Sequence, residues 1–183
     1  MAKIDDHIKQ KIKTLSREEL EKLVLKAAAR DKSFYDFMLV NYVDKESGEK
    51  DLYRQAITDL DRLFCKGYRG YSEQLQLANM LSACIKRINE FAKVCKNKNL
   101  EADLLVYVLQ EAYAYPEDMF GTCFTAFDYK TGLLTKRLIT LVTKKMHEDY
   151  LVDYKEKINR YLARLHATSS HLDFIYELPK MIE

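Results

Sequence analysis

The sequence predicts an all-α fold of about eight to ten helices stacked as antiparallel hairpins, like a helical repeat in shape. Three observations carry that expectation. Ser72 to Asn97 contains no Gly or Pro and sets Leu77, Leu81, Cys84, Ile88 and Cys95 three, four or seven residues apart, one apolar stripe with Ile85 and Ala92 beside it. At 1.5 Å per residue such a helix spans about 35–40 Å, too long for one neighbour to cover, so it is expected to be the spine of the molecule. The 183 residues hold only 5 Gly and 2 Pro, too few turn formers for a many-stranded sheet. Helix starts near residues 17, 34 and 51, and again near 100, 117 and 132–149, recur about every 17 residues, so a helix pair repeats at about the 34 residues of tetratricopeptide arrays. The signature residues of that family are missing and the chain has no Trp, which leaves helical-hairpin stacking without the family.

One domain over 1–183 is expected, with a helical hairpin at 1–43 joined through a polar linker at 44–50. Ile4, Ile8, Ile12 and Leu15 predict a short first helix that needs a partner. Ser16 as N-cap, Glu19 completing a capping box and Leu15 with Leu20 as hydrophobic staple predict the next start. Leu20, Leu23, Val24, Ala27 and Ala28 form its apolar face, and Ser33 restarts the pattern with Phe34, Phe37 and Met38 turned inward and Val40 a candidate to join them. Asp44 to Lys50 is polar, contains Gly48 and has no periodicity, which predicts an exposed linker. Asp51 is expected to cap a helix with Leu52, Ile57, Leu60, Leu63 and Phe64 on one face, stopped by Gly67. After the spine, Asn99 caps a helix carrying Leu104, Leu105, Val108 and Ala112. Pro116-Glu117-Asp118 has the composition of another start. Gly132 opens a helix with Leu134, Leu138, Leu141 and Val142. Near His147 the stripe changes phase, so Tyr150, Tyr154, Ile158, Tyr161 and Leu165 belong to a separate helix. A last short one runs from Ser170 to Leu178, before Pro179.

LSREELEKLVLKAAARDKSFYDFMLV, residues 15–40, is similar to the helical regions of bacterial SWIM-type zinc-finger proteins and their uncharacterised relatives. There the segment leads through a polar stretch into helices of the kind seen here as AITDLDRLFCKGYRGYSEQLQLANMLSACIKRI. The resemblance implies a helical-repeat architecture and a role as a binding platform. Its leucines are packing positions and no functional residue carries over. The SWIM zinc motif, Cys-x-Cys followed by Cys-x-His, is missing from this chain, so no metal is implied.

Chemistry motifs give little. His147-Glu148 starts like His-Glu-x-x-His, but the second ligand position is Leu151. No His has Glu three residues before it, as a di-iron bundle requires. His166 and His171 flank a helix break, where capping is the plain role. Ser47-Gly48-Glu49-Lys50 and Lys130-Thr131-Gly132 match the letters of serine acyl-enzymes, but both are expected in polar turns, where that mechanism needs a helix start and a strand. Cysteines 65, 84, 95 and 123 have no paired short spacing and are expected as buried small apolar residues. No catalytic residue, cofactor or metal site is expected. Asp5 and Asp6 interrupt any export signal, and the longest apolar run, Leu104–Leu109, is far below the ~20 residues that span a bilayer. A soluble, cytoplasmic protein is the expectation.

Charge falls in blocks. Lys86, Arg87, Lys93, Lys96 and Lys98 stand against Glu90 alone; residues 99–129 hold acids and no Lys or Arg; Lys130, Lys136, Arg137, Lys144 and Lys145 follow with no acid. Alternating blocks suit helix dipoles and neighbouring helices of opposite sign. They also allow two basic blocks to meet on a concave surface, and that is the functional expectation: a non-enzymatic scaffold binding a protein or peptide partner through Lys136, Arg137, Lys144 and Lys145, with Lys86 and Arg87 second. Binding of a nucleic-acid backbone through the same bases is the alternative, and an enzyme of unknown class the remote one.

Overall fold

The structure, a computed structural model, describes residues 4–183; Met1, Ala2 and Lys3 of the expected first hairpin lie outside them. The described residues form nine α-helices and no strand. They divide into two units, residues 1–49 and 50–183, with the division inside one helix, α4 (Lys45–Phe64).

The first unit contains α1 (Asp6–Lys13), α2 (Arg17–Arg30) and α3 (Lys32–Met38), which widens into a π-helical turn, Leu39–Val43. The Ser16–Glu19 capping box is formed as expected. α3 starts before Ser33, because the Asp31 carboxylate accepts from the N–H groups of Ser33 and Phe34. The apolar faces of α1 and α2 hold no buried residue, and Ile4, Ile8, Leu23 and Val24 are exposed. Val40 is the buried hydrophobic residue of this unit. The expected linker at 44–50 is instead the start of α4. The Asp44 carboxylate accepts from Ser47 N–H and its carbonyl from Gly48 N–H, so Asp44 does what was expected of Asp51, which lies inside the helix. A polar sequence lacking periodicity is helical here because its first turn is capped by a side chain.

The second unit is built from the end of α4, α5 (Glu73–Val94), α6 (Lys98–Ala114), α7 (Ala126–Lys144), α8 (Leu151–Thr168) and the short α9 (Asp173–Tyr176). α5 buries Leu77, Leu81, Cys84, Ile88 and Phe91, each large apolar side chain worth about 1.5–3 kcal/mol. It ends short of Asn97 because the Asn97 side chain accepts from the N–H groups of Asn99 and Leu100; Asn97, not Asn99, caps α6. α7 shares the organising role expected of α5, since it packs against α5, α6, α8 and α9.

Two features let α7 be so enclosed. The buried hydroxyls of Thr131 and Thr135 donate back to the carbonyls of Phe127 and Thr131, so neither hydroxyl is stranded. Gly132 lies inside the helix rather than opening it: a Cβ there would come within 2.9 Å of Phe174 Cε1. The proline start at Pro116 yields only one 3₁₀ turn, Glu117–Met119. The phase change near His147 does separate two helices, α7 and α8, around a second 3₁₀ turn at Glu148–Tyr150. After α9 the chain is held to α8 by Asn159, whose side-chain amide bonds both the N–H and the carbonyl of Ile182. Among the described residues no helix is long and apolar enough to cross a membrane.

Candidate functional site

The two arginines of the expected basic surface are engaged in ion pairs. Arg87 Nε lies 2.8 Å from Asp59 on α4. Arg137 donates to Asn89 of α5 at 2.6 Å and to Glu101 of α6 at 2.9 Å, while Lys98 reaches the other oxygen of Glu101 at 2.7 Å. Burial alone would push the Glu101 carboxyl up, but the hydrogen bonds and charges of Lys98 and Arg137 together overcome it and hold the group below its ordinary value. Lys136 donates to Glu177 and lies over the ring of Phe174. Lys86, Lys144 and Lys145 are exposed. Lys136, Arg137 and Lys145 share a shallow depression with Glu101 and Thr140; Lys86 and Arg87 line another with Asp59, Arg62 and Glu90. Lys144 lines neither.

A larger cleft, of about 600 Å³, lies between the C-terminal end of α6 and the exposed side of α8. α8 turns Tyr154, Ile158, Tyr161, Leu162 and Leu165 into the core. That register leaves Lys157, Arg160 and Arg164, three and then four residues apart, along the cleft, with Ala163 and Ala167 on the same wall and Ala114 across from them. Glu117 is the one acid among the lining residues, against three cations.

The floor is rigid. Tyr113 is stacked between Phe120 (centroids 5.7 Å apart) and Tyr161 (4.3 Å). Its hydroxyl donates to the Tyr161 carbonyl and lies 3.3 Å from Thr135 Oγ1. Burial raises both phenols, that of Tyr161 to about 12, so neither ionises near neutral pH. Arg164 ties floor to wall: Nη1 donates to the Tyr113 carbonyl at 2.6 Å and Nη2 to the Tyr115 carbonyl at 2.8 Å, at the end of α6, where a cation also suits the helix dipole. Its guanidinium sits 4.9 Å from the centre of the Phe120 ring. The buried Nε has no hydrogen-bond partner, and the nearest acid, Glu117, has a carboxylate oxygen 4.0 Å away.

Sequence reasoning missed Lys157, Arg160 and Arg164 because Asp153 and Glu156 directly precede them and apolar core positions separate them, so they do not read as a charge block. The signal that could have found them is helical spacing of cations beside an apolar stripe with small residues at 163 and 167.

The remaining chemistry candidates have local roles. His147 Nδ1 accepts from Asp149 N–H at the start of a 3₁₀ turn, His166 Nε2 contacts the Pro179 carbonyl, and His171 is exposed. Thr131 and Gly132 are buried in α7 and not in the polar turn expected there. Among the described residues the four cysteines form no disulfide. Cys84 and Cys95 are buried as expected, but Cys65 and Cys123 are exposed, one just past the end of α4 and the other in the loop before α7. Among the described residues no group of three His, Cys, Asp or Glu is placed to hold a metal ion. No family model, curated protein or solved structure matches the chain.

Proposed function

We propose that the protein is a non-enzymatic helical scaffold, its helices stacked as antiparallel hairpins, that binds an acidic segment of a protein partner. The observation that carries this reading is the row of Lys157, Arg160 and Arg164 along the α6/α8 cleft, opposed by a single carboxylate. An anionic segment entering such a cleft meets complementary potential, and its carboxylates replace water at Lys157 and Arg160. The aromatic floor, fixed by stacking and by Arg164, needs no rearrangement to receive it, which limits the entropic cost of association. The binding-platform role implied by the SWIM-type resemblance belongs to the same proposal. So do Lys136, Lys144 and Lys145, on α7 and at its end, as a second basic area for the partner, with Lys86 as a separate contact, while Arg87 and Arg137 act as ties between helices.

The test is fluorescence anisotropy with a labelled Glu-rich peptide of about 20 residues, the scale of half an ordinary interface. Lys157→Glu with Arg160→Glu is expected to weaken binding by at least about tenfold. Lys144→Glu with Lys145→Glu measures the second area separately. Unchanged affinity in both double variants overturns the proposal. Tighter binding of duplex DNA than of the peptide, with a steep loss as salt rises, does so as well.

A further inference from the structure

Resting on the acidic-partner reading, the geometry points to a more definite occupant of the α6/α8 cleft: an amphipathic α-helix carrying acids at the spacing of the cations on α8. Lys157, Arg160 and Arg164 lie on one side of α8 over seven residues, about 10 Å of helix axis. Acids at i, i+3 and i+7 of a second helix laid alongside repeat that interval, whereas an extended chain covers it in about three residues and then runs out of register.

The surfaces between the charges suit a helix as well. Ala163 and Ala167 are one turn apart on α8 and Ala114 faces them from α6; all three are exposed. Side chains this small let two helix backbones come to the short end of the 8–10 Å range of interaxial distance, and open grooves in which the ridge of an incoming helix seats. A cleft of about 600 Å³ takes a few Leu- or Met-sized side chains from such a ridge, the ordinary mode of helix-in-groove recognition.

The polar groups divide accordingly. Lys157 and Arg160 are available to ligand carboxylates. Arg160 holds only Glu156, four residues back on its own helix, and both side chains of that pair are largely exposed, so the exchange is cheap. Arg164 is committed to the two α6 carbonyls and contributes its charge to the potential of the cleft rather than a free donor. Glu117, across the mouth, repels an acid placed at the third position and so favours the strongest acids opposite Lys157 and Arg160.

The experiment uses the full chain and three labelled peptides of equal length and charge, rich in Glu and Leu. One has acids at i, i+3 and i+7 opposite a leucine stripe, one has the order scrambled, and one has the first order with a central proline. The patterned peptide is expected to bind at least about tenfold tighter than either control, and to gain helical circular dichroism on binding. Ala163→Leu fills the groove from a solvent-exposed position. It should lower that affinity at least about tenfold while leaving the thermal unfolding midpoint of the free protein within a degree or two. Equal affinity for the three peptides overturns the helix and leaves an acidic extended segment as the occupant. Loss of peptide preference in Ala163→Leu with the proline peptide still bound supports the helix. If no peptide binds and Lys157→Glu with Arg160→Glu changes nothing, the acidic-partner reading itself falls.

Discussion

Arg137 and Glu101 join α7 to α6 through a guanidinium–carboxylate contact of 2.9 Å, in which the acid is nearly inaccessible and the base is partly open to water. Lys98 holds the second oxygen of the same carboxylate, so one buried acid fixes two cations and, through Asn89, a third helix. Glu101→Gln leaves both cations without their counter-charge. Removing one member of a buried pair costs about 3–5 kcal/mol, and the partial exposure of Arg137 and Lys98 reduces that to about 1–3 kcal/mol, read as a lowered urea midpoint near neutral pH.

The same pair makes stability depend on pH in a known direction. The Glu101 carboxyl is held below its ordinary value of 4.5. A depressed acid contributes stability that is fully present above its unfolded value and is lost as pH falls through the folded one. The wild-type chain should therefore lose stability as pH falls below about 4.5, and the fall should be shallower in Glu101→Gln. Urea titrations of both proteins across that range measure it; parallel curves would show that Glu101 is not the group responsible.

Gly132 and Phe174 give a steric prediction. Alanine is the better helix former by about 1 kcal/mol, so at an open site Gly132→Ala would stabilise α7. Here its Cβ would sit 2.9 Å from Phe174 Cε1 and 3.4 Å from Ile175 Cδ1, so the Phe174 ring, packed against Tyr129, or the helix that carries it must give way. Net destabilisation of about 1–2 kcal/mol is expected, and shortening Phe174 to Leu in the same chain should recover part of it.

Thiol accessibility divides the cysteines in two. Cys84 has no exposed surface, and burial pushes its thiol up to about 12; Cys95 is likewise enclosed. Cys65 and Cys123 are open to solvent. Ellman's reagent should modify two thiols promptly in the native protein and the other two only at the rate of unfolding. Prompt reaction of three or four would contradict the packing of α5.

The helices were legible where capping chemistry and an apolar stripe coincided, as at Ser16, because both are local. They were misread where a local signal had a tertiary use. Gly132 looks like a helix opening and is a close approach to Phe174; Gly48 looks like a linker and lies against Val40. The basic blocks were legible as charge, but not their partners: nothing in the sequence pairs Arg137 with Glu101, 36 residues away, or Arg87 with Asp59. The cleft was illegible for the same reason. Its cations lie on α8 and its floor depends on an aromatic stack between α6, α8 and the loop that carries Phe120.

Arg164 separates the architecture of that cleft from its charge. Arg164→Lys keeps the cation, but one ammonium cannot serve the carbonyls of Tyr113 and Tyr115 with the planar fork that now spans them. A partly buried carbonyl then loses its donor, at a cost of about 1 kcal/mol. The Tyr113–Tyr161 stack should loosen with it, which near-ultraviolet circular dichroism of the tyrosines would register before any loss of helix. Acidic-peptide affinity should fall with the stack even though the net charge is unchanged. If Arg164→Lys left stability and the aromatic signal intact and lowered only the affinity, Arg164 would be a ligand contact rather than the tie that shapes the floor.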